Sequence, residues 1–146
     1  MKKFILGLFL ILGAMSIAAP EYVDVKGMEK KGYIIYKNKK DSFVAFKITQ
    51  NDRIGVTLYF SDKDNAEYLT NTSAPSALKF LDETENNRAY IQRFKGELYI
   101  YNIIAKEQKV NGCYITITFS EIDDLTEEKL NEKIDILLDE VESFLK

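Results

Sequence analysis

The chain has no histidine and a single cysteine, Cys113, among 146 residues. Without histidine there can be no Ser-His or Cys-His nucleophile pair and no His-ligated metal. Zinc would have to rest on carboxylates almost alone, which is unusual for that ion. What survives is two-carboxylate chemistry of the glycosidase kind and Lys, Tyr or Ser variants. Asp123 and Asp124 are neighbouring carboxylates and the first candidates for acid–base work. They also precede a helix start, where Asp commonly caps free backbone N–H groups. Asp62-Lys63-Asp64-Asn65 opens like a calcium loop, but Glu67 fills the place that demands glycine and no Glu closes the twelfth position. The expectation is a non-enzymatic protein with no catalytic residue, cofactor site or metal site; a carboxylate-dependent hydrolase is the enzymatic alternative.

Binding chemistry is better represented. Tyr99 and Tyr101 alternate along one apolar run, Tyr114 alternates with Thr116 and Thr118, and Tyr59 follows Thr57. If these faces coincide, a sheet would have one aliphatic side and one Tyr/Thr side. Tyr offers rigid apolar area plus a hydroxyl, which suits recognition. The candidate ligand surface is therefore Tyr59, Tyr99, Tyr101 and Tyr114, with Lys37, Lys39 and Lys40 on its rim. The plainer reading is that Tyr and Thr are ordinary strand residues on a half-exposed face. Cys113 shares parity with Ile115, Ile117 and Phe119, so it is expected to be buried as a small apolar residue.

Charge is unevenly spread. From Lys26 to Lys47 seven lysines face two acids, a local +5; from Glu121 to Lys146 ten acids face three lysines, a local −7. The basic stretch fits an anionic envelope ligand, or lysines that guard an edge strand. The acidic stretch fits an inhibitor or immunity-type protein docking on a basic partner, with salt-dependent binding. The net negative charge argues against nucleic acid as a general partner.

These residues follow a leader-like start. Lys2 and Lys3 precede an apolar run from Phe4, and Ser16-Ile17-Ala18 supplies small residues at the positions a signal peptidase inspects. The run falls short of the ~20 residues a membrane span needs. The expectation is a signal peptide over 1–18 and one exported domain over 19–146, periplasmic or extracellular. An uncleaved anchor is the alternative and the one route to a membrane. Without Lys2 and Lys3 the 20 basic residues become 18 against 23 acidic, a net charge of −5. A lone cysteine leaves no internal disulfide. A monomer is expected, its partner an unidentified protein or envelope ligand.

The elements that must position these side chains are mostly strands. Arg53 to Phe60 alternates strictly, with Ile54, Val56, Leu58 and Phe60 on one face. Strands are also expected over Tyr22–Lys26, Tyr33–Tyr36, Phe43–Thr49, Ala89–Phe94, Glu97–Ala105 and Cys113–Ser120. Gln50-Asn51-Asp52, Lys95-Gly96 and Asn111-Gly112 read as turns. Pro75, with Ala74, Ala77, Leu78 and Leu81 at helical spacing, predicts a short helix between the strand groups. Leu130, Ile134, Leu137, Leu138, Val141, Phe144 and Leu145 form a helical stripe, with Thr126 as N-cap and Glu127 and Glu128 in the first turn. Consecutive strands indicate an α+β class: an antiparallel sheet of about six strands, a long C-terminal helix packed on one face and one shorter helix.

From Gly112 to Phe144, GCYITITFSEIDDLTEEKLNEKIDILLDEVESF, a tyrosine-bearing strand runs through an acidic turn into a closing helix. This order resembles the PsbP/DcrB/Mog1-like α/β/α family. The first half lacks that family's glycine-phenylalanine opening and its Pro-x-x-Trp segment, and the chain has no Trp. The resemblance implies an exported accessory or binding domain of the bacterial cell envelope.

Overall fold

In the computed structural model of the chain, residues 23–39, 42–50, 52–60, 78–110 and 112–146 are described. A short helix α1 (Val25–Lys30) precedes β1 (Ile34–Asn38), β2 (Ser42–Ile48), β3 (Arg53–Phe60), β4 (Lys79–Glu85), β5 (Ala89–Lys95), β6 (Tyr99–Ala105), β7 (Cys113–Glu121) and helix α2 (Glu127–Ser143). The strands make one seven-stranded sheet in the order β1-β2-β3-β7-β6-β5-β4, antiparallel throughout. Two meanders, β1–β3 and β4–β7, are joined where β3 pairs with β7.

Turn chemistry sets the register. Thr49 N–H donates to the Asp52 carbonyl at 2.8 Å and Asp52 N–H to Thr49 Oγ1 at 2.9 Å, closing the β2–β3 turn. Before β7, Gly112 has φ 85° and Cys113 N–H donates to the Val110 carbonyl at 3.0 Å. That positive φ is what the Asn-Gly pair leads one to expect. Asn86 Oδ1 accepts from the N–H groups of Arg88 and Ala89, both at 2.8 Å, and turns β4 into β5.

Two expected elements differ. The Tyr22–Lys26 strand gives way to α1, because Asp24 Oδ1 accepts from Gly27 N–H at 3.0 Å and caps a helix there. Among the described residues of that span, Val23 keeps extended pairing, in a bridge to Leu145. Leu81, expected at the end of a short helix, lies in β4 instead. Hairpin pairing with β5 engages Lys79 to Glu85 and overrides the Leu78/Leu81 spacing. Pro75, Ala74 and Ala77 lie outside the described residues. The short helix among the described residues is α1, ahead of the sheet.

The sheet has two different faces. Inward side chains Val56, Leu58, Ile91, Ile103, Ile115 and Ile117 form one buried cluster with Leu130, Ile134, Leu137, Leu138 and Val141 of α2. Helix α2 has 17 residues, and a helix in a protein draws most of its stability from packing of its apolar face rather than from propensity. Burial of those five side chains, about 1.5–3 kcal/mol each, supplies its stability. Thr126 Oγ1 accepts from Lys129 N–H at 3.3 Å, so the expected N-cap is in place. Cys113 is buried in the same cluster.

Candidate functional site

The tyrosine surface does not assemble, because the strand faces do not coincide. Tyr101 pairs with Phe119, which puts it on the face of the main buried cluster, and it is fully buried there. Its ring stacks on Phe119 with centroids 5.1 Å apart. Tyr99, half-buried, packs against the same cluster under Lys95. Tyr114 is on the opposite face, against Ile104. The Tyr59 backbone pairs with Tyr114, but its side chain lies outside the described residues. Lys37, opposite Val44, and the exposed Lys39 stand at the end of β1, apart from Tyr99 and Tyr101. Lys40 lies outside the described residues.

Tyr101 instead completes a clamp. Asp82, Arg93 and Tyr101 are consecutive along one register row. Arg93 grips Asp82 bidentately, Nε to Oδ1 at 2.9 Å and a terminal nitrogen to Oδ2 at 2.6 Å. Its other terminal nitrogen donates to Asp124. The Tyr101 hydroxyl donates to Asp124 and accepts from Leu125 N–H at 2.8 Å. The β7–α2 turn is thereby fastened to the sheet. Burial and the Asp124 carboxylate push the Tyr101 hydroxyl up to about 12. The bonds from Tyr101 and then Arg93 hold Asp124 below the usual carboxylate range, and Arg93 does the same for Asp82.

That direction bears on the acidic pair. A cleft of about 560 Å³ beside the β7–α2 turn is lined by Asp52, Arg53, Glu121, Asp123, Asp124 and Lys129, among others. A catalytic acid needs a raised pKa, and Asp124 is shifted the other way. Asp52 and Glu121 share Lys133, at 3.5 and 2.5 Å. Asp52, Glu121 and Asp124 are thus each held by a cation, while Asp123 makes no ion pair among the described residues. No group of three or more His, Cys, Asp or Glu able to hold a metal occurs among the described residues.

The acidic side chains of α2 are likewise occupied. Arg88 reaches Asp135, Asp139 and Glu142 at 3.1, 2.9 and 2.7 Å. Glu140 accepts from the Tyr33 hydroxyl at 2.7 Å and lies 3.7 Å from Lys47. Four carboxylates of the helix thus tie it to the sheet side of the molecule, which leaves less of its charge free for a basic partner.

The second face carries a different pattern. One register row crosses all seven strands as Glu83, Gln92, Asn102, Thr118, Gly55, Phe46 and Ile34. Its first half is a side-chain ladder. Gln92 Nε2 donates to Glu83 at 3.3 Å, Asn102 Nδ2 to Gln92 at 2.9 Å, and the Thr118 hydroxyl to Asn102 at 3.0 Å. Gln92 and Asn102 are buried, as are Phe94, Ile104 and Thr116 on the same face. Past Gly55 the row turns apolar and opens. Ile34 is 65% exposed, Tyr36 72%, Phe46 38% and Ile48 68%. The Tyr36 and Phe46 rings meet edge to face at 5.6 Å. A shallow groove of about 320 Å³ runs from Phe46 and Ile48 over Gly55 to Leu98 and Ile100, with Arg53 at its border.

Sequence reasoning missed these residues, although β2 carries the signal. Val44, Phe46 and Ile48 are apolar at one parity while Phe43 and Ala45 are apolar at the other. A strand with only one covered face would alternate. No family model, curated protein or solved structure matches this chain.

Proposed function

We propose that this protein is an exported, non-catalytic binding or accessory protein of the cell envelope. In this reading helix α2 covers one face of the sheet, and the open half of the other face meets the partner. The observation that carries the reading is the exposure of Ile34, Tyr36, Phe46 and Ile48 side by side on β1 and β2. Single exposed apolar residues are ordinary on a surface, whereas a contiguous group of them marks an interaction site. The edges of the sheet are less suited to recognition. Both edge strands are bulged, β1 between Ile35 and Lys37 and β4 between Phe80 and Asp82, and a bulge interrupts the ladder an added strand would need. The leader-like residues 1–18 support export, with the mature chain starting at Ala19.

The test is site-specific photocrosslinking in cells, with benzoylphenylalanine at Tyr36 or Ile48 and, as controls, at the exposed Ile122 and Ile136. Adducts are expected from the first pair alone. Equal yield from all four positions, or none from Tyr36 and Ile48, would overturn the assignment. N-terminal sequencing of the exported protein tests the start at Ala19.

A further inference from the structure

We propose that the groove over Gly55 takes the alkyl chain of an anionic amphiphile, with Arg53 holding the charged head. The proposal rests on the reading of the open half-face as the binding surface, and it names the ligand class. The groove, at about 320 Å³, is near the lower end of the ~300–1,000 Å³ typical of small-molecule sites. Phe46, Ile48, Leu98 and Ile100 line it. Its depth comes from a missing side chain: a Cβ on Gly55 would stand 3.5 Å from the Phe46 ring, inside the groove. Of its polar neighbours, the Thr118 hydroxyl already donates to Asn102.

The remaining feature is charge. Arg53 pairs with Ile48 in register, so it lies on the groove's face, and it is exposed. Arg88 and Arg93 are each held by two or more carboxylates, but Arg53 has no ion pair among the described residues. Of the acids in the adjoining cleft, Asp52 and Glu121 are engaged by Lys133 and Asp124 by Arg93, and Asp123 makes no ion pair with Arg53. A guanidinium with no ion pair among the described residues, beside an apolar groove, complements a carboxylate or phosphate on an alkyl chain. A peptide fits less well. It would bring backbone N–H and C=O groups that need partners, and the nearest edge strand is bulged at Tyr36.

The test is calorimetric titration of the full chain with decanoate, decyl maltoside and decyltrimethylammonium, each below its micelle concentration. Decanoate is expected to bind about fivefold more tightly than the other two, the scale of one exposed charge contact. Arg53→Gln should abolish that preference. Gly55→Thr should weaken all three, and Gly55→Ala, whose Cβ makes an ordinary contact, does so with less risk to the fold. Residues 4–19 are common to every variant, so the differences report on the groove. Equal binding of the three probes would overturn the assignment of the head group while leaving the apolar surface standing. Decanoate binding unchanged in Gly55→Thr and Gly55→Ala would overturn the groove. Absence of amphiphile binding with crosslinks at Tyr36 retained would overturn the ligand class and leave a protein partner.

Discussion

Tyr101→Phe separates a structural tyrosine from a ligand-binding one. The substitution removes one oxygen and keeps the ring, so the stack on Phe119 survives. Two hydrogen bonds are lost, one to the Asp124 carboxylate and one from Leu125 N–H. A bond to a charged group contributes ~1.5–3 kcal/mol and a neutral one ~0.5–1.5 kcal/mol. Asp124 keeps Arg93 and reaches solvent, so the lower part of each range applies. The expected loss is about 2–3 kcal/mol. With an m-value of ~1.5 kcal/mol per molar urea, the unfolding midpoint should fall by about 1.5 M. Tyr99→Phe is the control and should stay within ~0.5 kcal/mol. Combining Tyr101→Phe with Asp124→Asn should cost less than the two separate losses, since the residues are in contact. If Tyr101→Phe shifts stability by less than ~0.5 kcal/mol, the hydroxyl is not fastening the β7–α2 turn and the clamp is wrong.

Burial pushes the Cys113 thiol up to about 12, and Tyr101 rises to the same value. The unfolded chain ionises these groups near ~8.5 and ~10, so the native state holds their protons more tightly. Stability should be full below about pH 8 and fall as pH rises toward 12, approaching ~1.4 kcal/mol per pH unit for each group; urea midpoints at successive pH values would detect a flat profile that contradicts this. Asp82 and Asp124 are shifted down, so their contribution is present above about pH 4 and lost as acid titrates them. Arg93→Gln should flatten that acid limb in the same assay, and an unaltered limb would mean other carboxylates dominate it. Arg88→Met should cost about 1 kcal/mol, less at high salt because the network is partly exposed; a salt-independent loss would point to packing instead.

Most strands were legible because their signals are local; β4, read as helix through Leu81, was not, since only pairing with β5 makes it a strand. Strict alternation over Arg53–Phe60 gives β3 with its ends, and Thr126 with the apolar stripe after it gives α2. What could not be read is how the strand faces line up. Tyr99 and Tyr101 look like Tyr114 in a strand, but register pairs Tyr101 with Phe119 and Tyr59 with Tyr114. A shift of one residue would reverse that, and nothing within either strand fixes it. Lys47 misled for a related reason. It occupies a core-facing position, where its ammonium reaches Glu140 of α2, a partner 93 residues away in sequence. The open half-face had a sequence signal, apolar residues at both parities of β2, but such a pattern normally means burial on both sides. Only exposure distinguishes the two outcomes, and exposure depends on what else the chain lays over that face. Arg53 looked like one charge among many until every other arginine proved to be paired.

The most direct test measures binding and stability on the same two variants, Ile48→Ser and Tyr101→Phe, each carrying the photocrosslinker at Tyr36. Ile48 is 68% exposed, so its replacement should leave the urea midpoint unchanged while removing the crosslink. Tyr101→Phe should lower the midpoint by about 1.5 M and keep the crosslink in the protein that remains folded. The reverse pattern, crosslinking lost in Tyr101→Phe at full stability and retained in Ile48→Ser, would contradict the assignment of the open half-face as the binding surface.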